Sequence, residues 1–119
     1  MAEKIQWINY QGKEILFNDR SGLRKTDLID NVNNAVTLIK ESGKNDILYL
    51  IDNSDTIITP DIKEVIKKGG QEVKPYLKKT AVIGPNPAQK ILINILSKIT
   101  GMNIKIFDTL NDGKNWLIN

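Results

Sequence analysis

The chain has 119 residues, with 17 Lys or Arg against 14 Asp or Glu and a formal net charge of +3 at pH 7. It has no cysteine and no histidine, which excludes disulfides, thiolate nucleophiles, metal–sulfur sites and the usual general base near neutral pH. This length and an apolar fraction of 40% predict one folded domain over residues 1–119 with a single core.

The positive charge is concentrated in one stretch, because six lysines lie between residues 61 and 79. Arginines are missing there and Tyr76 is the one aromatic residue, so we interpret the stretch as a solvated helix face rather than a nucleic-acid interface. No run is apolar enough for a signal peptide or a membrane span. We therefore expect a cytoplasmic protein without membrane insertion.

The first elements along the chain are a hairpin and a helix. Residues 5–17 hold two β-rich runs joined by a two-residue turn that ends in Gly12, and glycine adopts the positive φ that such turns require. Apolar residues then recur at helical spacing over residues 28–39. Thr26 or Asp27 is expected to cap this helix.

A buried strand and a second helix follow. The unbroken apolar run 47–51 is typical of a central strand covered on both faces. Thr59 and Pro60 are a typical cap and first residue of a helix. Within that helix, Gly69-Gly70 and Pro75 predict a kink or a break.

The last part of the chain repeats the alternation. Residues 80–83 predict a strand, and Asn86 begins a helix in which Gln89 is placed to complete a capping box. The apolar stripe of this helix is Ala88, Ile91, Leu92, Ile95, Leu96 and Ile99. Ile93 falls outside that stripe, which would suit a homodimer contact or a hydrophobic groove. A strand at 104–107 and a short helix capped by Asp108 or Thr109 complete the chain.

The resulting order, ββαβαβαβα, predicts an α/β fold. We expect a single, mainly parallel, five-stranded sheet with four helices, in which the first strand lies antiparallel at an edge. In such a sheet the loops after the parallel strands meet at one border, together with the helix N-termini. We call this border the rim.

The rim is the predicted binding site. Its candidate ligand- or partner-binding residues are Asp19, Arg20, Ser21, Asp52, Asn53, Ser54, Thr59, Gly84, Asn86 and Asp108. Helix amides favour an anion and carboxylates repel one, so the mixture suits a hydroxyl-bearing ligand, a hard cation such as Mg²⁺ or a basic partner segment. The same residues could instead only cap helices and stabilise turns. No cofactor, metal site or catalytic residue is assigned, and Asp52 is the one carboxylate placed like a nucleophile.

Several short blocks in fixed order carry a family resemblance. They are Ile15-Leu16-Phe17-Asn18-Asp19-Arg20-Ser21-Gly22, Leu48 to Asp52, Lys74 to Gly84, Gln89-Lys90-Ile91-Leu92, and Phe107-Asp108-Thr109 with Trp116-Leu117. With these blocks the chain resembles the STAS (anti-sigma-factor-antagonist, SpoIIAA-like) superfamily, in particular its small stand-alone bacterial branch. The superfamily shares its fold with the lipid-carrying CRAL-TRIO domains. The resemblance implies a non-enzymatic module for protein interaction or small-ligand binding.

One motif departs from that family. The antagonists carry an Asp-Ser-Ser-Gly-like motif at a helix start, and a kinase partner phosphorylates its serine. This chain has Ile58-Thr59-Pro60-Asp61 there, so Ser54 and Thr59 are the nearby hydroxyls and the candidate phosphorylation sites.

Three functions remain open from the sequence, and the least favoured is an enzyme with Asp52 as its carboxylate nucleophile or base; the two favoured ones are not enzymatic. The first is a regulatory protein-interaction module that uses the rim. The alternative is a carrier or sensor of a small hydrophobic or amphipathic, lipid-like ligand held between sheet and helices. The alternative predicts a cavity lined by residues of the second and third helices.

Overall fold

The computed structural model describes residues 4–119, which form five strands and four α-helices. In chain order these are β1 (Ile5–Tyr10), β2 (Lys13–Asp19), α1 (Lys25–Glu41), β3 (Ile47–Asp52), α2 (Pro60–Val73), β4 (Leu77–Ile83), α3 (Pro87–Thr100), β5 (Ile104–Phe107) and α4 (Leu110–Ile118). One 3-10 turn, Lys74–Tyr76, joins α2 to β4. None of the helices in this part of the chain combines the length and apolar character that crossing a bilayer requires.

The strands lie side by side in chain order, β1-β2-β3-β4-β5. β1 pairs antiparallel with β2 at one edge, and the other pairs are parallel. The predicted fold class and the antiparallel edge strand are confirmed. Because each crossover joins neighbouring parallel strands and such crossovers are right-handed, α1, α2 and α3 belong on the same face of the sheet.

The buried side chains divide accordingly into two clusters. Along β3, Tyr49 and Ile51 join residues of α1, α2 and α3, whereas Leu48 and Leu50 join residues of α4. The alternation follows from the two-residue period of a strand. We call the two sides the three-helix face and the α4 face.

Helix α1 begins earlier than predicted. Its first residue is Lys25 and its N-cap is Arg24, which makes no side-chain capping bond. Thr26 and Asp27, predicted as caps, lie inside the first turn, so that prediction is wrong. The Arg24 side chain instead pairs with the carboxylate of Asp55, at 3.1 Å from Nη2 to Oδ1.

Helix α2 runs unbroken through Gly69 and Gly70, so the predicted interruption does not occur at the glycines, but the predicted break before Pro75 does. A Cβ atom on Gly69 would lie 3.1 Å from Val36 of α1, and one on Gly70 would lie 3.0 Å from Leu96 of α3. The missing side chains therefore let α2 approach both neighbouring helices. The helix ends at Val73, two residues before Pro75, as the ring of proline requires.

Helix α3 has the predicted capping box and a different buried face. Asn86 Oδ1 accepts a hydrogen bond from Gln89 N at 2.9 Å, and Gln89 Oε1 accepts one from Asn86 N at 3.0 Å. Ile91 and Ile99 of the predicted stripe are 63% and 55% exposed, whereas Ile93 packs against the core. Leu92 and Leu96 of the predicted stripe are buried, so the stripe is right in part. The rest was assigned wrongly because the helix is apolar on too many sides for spacing alone to orient it.

Candidate functional site

The loops that follow the parallel strands are joined at the rim by backbone hydrogen bonds. The bonds are Arg20 N to Asp52 O (2.9 Å), Gly22 N to Ser54 O (3.1 Å), Asn53 N to Ile83 O (2.8 Å) and Gly84 N to Phe107 O (3.3 Å). The ladder of the sheet thus continues for one residue beyond β2, β3 and β4, and the bond from Gly22 to Ser54 joins the first two loops further out. It brings the segments after β2, β3, β4 and β5 to one border of the molecule.

The acidic side chains of this border mostly serve their own loops. Asp19 Oδ1 accepts hydrogen bonds from the amide of Ser21, at 3.0 Å, and from its hydroxyl. Asp52 Oδ1 accepts from the amide of Ser54 at 3.0 Å. Both arrangements are turns that an aspartate side chain closes. Asp108 is exposed, and within residues 4–119 its side chain makes no hydrogen bond.

The hydroxyls of the two candidate phosphorylation sites, Ser54 and Thr59, each contact a neighbouring part of the rim. A side chain at Gly84 would collide with Ser54, so the Ser54 hydroxyl lies directly against the β4–α3 loop. The Thr59 hydroxyl donates to the carboxylate of Asp61 and holds the pKa of Asp61 below its ordinary value of 3.8. A phosphate on Thr59 would meet that carboxylate, which opposes added negative charge.

Two of the predicted rim residues turn inward. Arg20 and Asn53 are 8% and 6% exposed, respectively. Strand alternation explains both, because Arg20 follows Leu16 and Asn18 on the three-helix face and Asn53 follows Ile51. Their side chains therefore enter the interior between sheet and helices.

Arg20 and Asn53 line a cavity of about 80 Å³ on the three-helix face. Its walls are largely apolar and come from the sheet and from all three helices of this face. They include Tyr49, Ile51 and Val82 of the sheet, Val32 and Val36 of α1, Ile66, Gly69 and Gly70 of α2, and Leu92, Ile93 and Leu96 of α3. The cavity lies where a ligand between sheet and helices was predicted, and it is lined by the second and third helices as that hypothesis requires.

The cavity extends along strand β3. Its wall there runs from Tyr49 to Asn53, about 13 Å at roughly 3.3 Å per residue. At the end away from the rim it reaches Met102 and Ile104, near the start of β5. A cavity of about 150 Å³ holds a benzene ring. Roughly half that volume holds a ligand of only a few non-hydrogen atoms.

A buried polar cluster lies next to Arg20, one of the residues that line the cavity. Asn18 and Asn31 exchange two hydrogen bonds, each 2.9 Å long. Asn31 Oδ1 also accepts from Arg20 Nε at 3.0 Å, and Tyr49 Oη accepts from Asn18 Nδ2 at 2.9 Å. Asn18 and Asn31 hold each other in place, and the arginine is added to a pair that is already complete.

A second polar group lies beside it at the rim end. Gln89 Nε2 donates to the carbonyl and the hydroxyl of Thr56, at 2.9 and 2.8 Å, and Gln89 Oε1 accepts from Asn53 Nδ2 at 3.2 Å. This bridge ties the β3–α2 loop to the start of α3. It also places the Asn53 amide at the polar end of an otherwise apolar cavity.

The described residues offer little for metal binding or acid–base chemistry. Within residues 4–119, no three acidic side chains come together in a way that could hold a metal ion. Asp52, the one carboxylate placed like a nucleophile, is engaged with Ser54 and does not line the cavity.

The comparisons with known proteins bear on the fold. No protein-family model matches the sequence, and no curated protein matches it. A solved structure of an uncharacterized protein from the DUF3478 family of Shewanella loihica PV-4, described as having a SpoIIAA-like fold, superposes with a TM-score of 0.74. The two chains are 20% identical, and the match covers 95% of this chain and 91% of the other. The predicted SpoIIAA-like fold is confirmed.

Sequence reasoning missed the buried polar cluster around Arg20 and the role of two glycines that line the cavity. Asn18 and Asn31 were not singled out, although Asn31 interrupts the apolar stripe of α1 three residues after Leu28, where a polar residue indicates a buried polar contact. Gly69 and Gly70 were taken as helix breakers. Their adjacency within a strong helical pattern was the available signal of close helix packing.

Proposed function

We propose that this protein binds a small amphipathic molecule in the cavity between the sheet and helices α1, α2 and α3. The observation that carries the proposal is the combination of a mostly apolar cavity with polar side chains gathered at one end. Ligand sites are commonly apolar clefts with a few polar groups that fix orientation. The apolar part of the ligand would lie along β3, and its polar end would lie near Arg20 and Asn53.

The composition supports binding rather than catalysis. Neither histidine nor cysteine is present, and none of the carboxylates belongs to the cavity wall described above. A ligand held this way would be carried or sensed without being transformed. We therefore place the protein among non-enzymatic binding modules.

A partner-binding surface on the rim stays a prediction. The side chains of Asp19, Asp52 and Asn86 use hydrogen-bonding groups within their own loops, which weakens the case for direct recognition by them. Regulation could instead act through the cavity. A ligand that contacts both α2 and α3 could change the surface that these helices offer to a partner.

The proposal is tested with propan-1-ol, a neutral amphipathic probe of only four non-hydrogen atoms, titrated into the isotopically labelled protein. We expect saturable shifts of amide resonances around Gly69, Gly70 and Leu92, because these residues face the cavity. Native mass spectrometry of freshly purified protein provides an independent readout, since a co-purifying amphipathic molecule would add its mass.

Two variants of α3 separate cavity binding from adhesion to the surface. Ile93→Trp places a large ring in the half-buried wall and should abolish binding, whereas Ile99→Trp alters an exposed residue on the same helix and should leave binding unchanged. Thermal melts confirm that both variants fold. If the shifts clustered instead around the exposed residues Ile57 and Ile91, or failed to saturate, the cavity would not be the binding site.

A further inference from the structure

Strand β1 forms one edge of the sheet, and its outer side is open. It pairs with β2 on its inner side, and within residues 4–119 no strand lies along its outer side. In this part of the chain β2 is also the one element that contacts β1 extensively, so no helix is packed over the strand. The edge is therefore accessible to a further strand.

The backbone groups of β1 alternate between its two sides. Lys4 O accepts a hydrogen bond from Asp19 N at 2.8 Å, so the backbone of Lys4 faces β2. Hydrogen-bonded and non-hydrogen-bonded pairs alternate in an antiparallel ladder, so the even-numbered residues of β1 bond to β2. The residues whose N–H and C=O groups point outward are Ile5, Trp7 and Asn9. No backbone hydrogen bond within residues 4–119 uses these outward groups.

Strand β1 lacks the features by which natural edge strands avoid pairing. It is six residues long, and its sequence Ile-Gln-Trp-Ile-Asn-Tyr contains neither a charge nor a proline. Its register with β2 runs from end to end without a bulge. The opposite edge strand, β5, is four residues long and carries Lys105. Short strands and lysine are common protections of a sheet edge, so β5 is protected and β1 is not.

We propose that two copies of this chain pair through β1 as a symmetric antiparallel dimer. A two-fold axis at Trp7 places Trp7 opposite Trp7 of the second copy and Ile5 opposite Asn9 of the second copy. In this register every outward N–H and C=O group of both strands finds a partner. A register centred on Ile8 would instead leave the outward groups of Ile5 without a strand partner.

The side chains and charges around the strand agree with this pairing. Ile5 and Trp7 lie on the three-helix face and are half-buried, so the exposed part of the indole can contact the indole of the second copy across the axis. Lys44 Nζ lies 5.6 Å from the centre of the Trp7 ring and 3.2 Å from Glu14 Oε1. Because Glu14 pairs with it, this lysine adds little repulsion between the copies.

The dimer is independent of the proposed function, because no residue of β1 lines the cavity. It joins two five-stranded sheets into one continuous sheet. The two-fold axis stands perpendicular to that sheet, so both three-helix faces lie on the same side and the two rims lie at opposite ends. One pair of strands buries less surface than the roughly 1,600 Å² of a standard stable interface, so the dimer should dissociate on dilution.

Sedimentation velocity over a dilution series tests the pairing, with Asn9→Pro and Asn9→Thr as matched variants. Both lose the Asn9 side chain, which accepts a hydrogen bond from Gly12 N at 3.2 Å. Asn9→Pro alone loses the outward N–H, which the ladder with β2 does not use. It should raise the dissociation constant of the dimer at least about 10-fold, whereas Asn9→Thr should leave it nearly unchanged. An equal effect of the two variants would show that the edge does not pair through its backbone.

Single cysteines test the register, since the chain has no cysteine of its own. Directly opposite residues of a hydrogen-bonded pair have Cα atoms about 5.5 Å apart, which is within the span of a disulfide. Trp7→Cys should therefore form a disulfide-linked dimer under mild oxidation. Asn94→Cys, at an exposed position of α3, should not. A dimer that cross-links through Asn94→Cys instead would place the interface on α3 and overturn the proposal.

Should Trp7→Cys not fold, a mixture of Ile5→Cys and Asn9→Cys tests the same register. These two variants should cross-link to each other. Neither should cross-link to itself, because like positions would lie about 14 Å apart along the paired strands at roughly 3.4 Å per residue. Self-linking of either variant, or no linking at all, would refute the register. A protein that stayed monomeric at every concentration would refute the dimer, and the open edge would then suit a strand of another protein.

Discussion

The α4 face and the three-helix face are the two sides of one sheet, and their helices pack in different ways. On the α4 face, the backbone of α4 lies close on β3 and β4. Gly113 allows this approach, because a Cβ atom there would lie 2.8 Å from Ile83 and 3.1 Å from Leu50. No room is left between helix and sheet at this point.

On the three-helix face, the close approaches are between helices rather than between helix and sheet. Gly69 brings α2 against Val36 of α1, and Gly70 brings it against Leu96 of α3. Helix α2 contacts both α1 and α3, and the cavity lies between α2 and the sheet. The comparison shows two effects of glycine in a helix. On the α4 face it lets the helix pack directly on the sheet, and on the three-helix face it lets helices pack on one another and enclose a cavity. We assign stability mainly to the α4 face and binding to the three-helix face.

The largest expected difference between the faces comes from truncating a leucine on each. Leu50→Ala removes a side chain that is fully buried in the dense α4 face, and we expect a loss of about 3–5 kcal/mol in the free energy of unfolding. Leu92→Ala enlarges a cavity that already exists. The Leu92 side chain has no packing partners on the side that faces the cavity. The loss in the free energy of unfolding should therefore be smaller, about 2 kcal/mol.

Urea unfolding followed by circular dichroism measures both losses under the same conditions. Equal losses, or a larger one for Leu92→Ala, would mean that the two faces are packed alike. The cavity would then be too small to matter energetically.

A smaller effect is expected from adding one methyl group to a glycine on each face. Gly113→Ala forces Ile83 and Leu50 to move within a filled core, and we expect a loss of about 1–2 kcal/mol. Gly70→Ala presses on Leu96, which can shift towards the cavity, while alanine favours the helix by up to about 1 kcal/mol. This variant should be neutral or more stable and should bind propan-1-ol more weakly.

The same urea titrations, with the propan-1-ol titration added, check this pair. Opposite signs for the two variants would sharpen the comparison of the faces. A destabilised Gly70→Ala with unchanged binding would show that Leu96 cannot move into the cavity.

Most of the fold could be predicted from the sequence because its signals are local. The turn at Gln11-Gly12 has positive φ at both residues, 49° and 82°, as a tight hairpin requires. The capping box of Asn86 and Gln89 and the buried run of β3 also follow from a few adjacent residues. Local signals of this kind determine element order, and element order determines the parallel sheet.

The inner wall of the site could not be predicted in the same way, because it depends on the side of the sheet to which each side chain points. Asp19 and Arg20 are adjacent in a polar stretch, yet strand alternation continued past β2 sends them to opposite sides. Applying the two-residue period one step beyond the strand would have placed Arg20 inside. The packing role of Gly69 and Gly70 needs the positions of α1 and α3, and the sequence of α2 alone contains no information about them.

The smallest expected effect concerns how a helix begins on each face. On the α4 face, Thr109 accepts a hydrogen bond from the Asp112 amide at 3.1 Å and caps α4. On the three-helix face, Thr59 caps nothing with its side chain, and its hydroxyl donates to the Asp61 carboxylate. This bond lowers the pKa of Asp61 below 3.8, and the hydrogen bonds to the amides of Asp61 and Ile62 act in the same direction.

A lowered pKa in the folded state means that the contribution of Asp61 to stability is present above pH 3.8 and is lost as the pH falls through the lowered value. Nuclear magnetic resonance titration of Asp61 should show its pKa rising towards 3.8 in Thr59→Val, whereas Thr109→Val, the control on the other face, should not move it. Acid should also loosen the first turn of α2 before that of α4, as hydrogen exchange would report. If the pKa of Asp61 were the same in Thr59→Val as in the unaltered protein, the two helix starts would not differ in this way. The first turn of α2, the helix over the cavity, would then be as stable in acid as the first turn of α4.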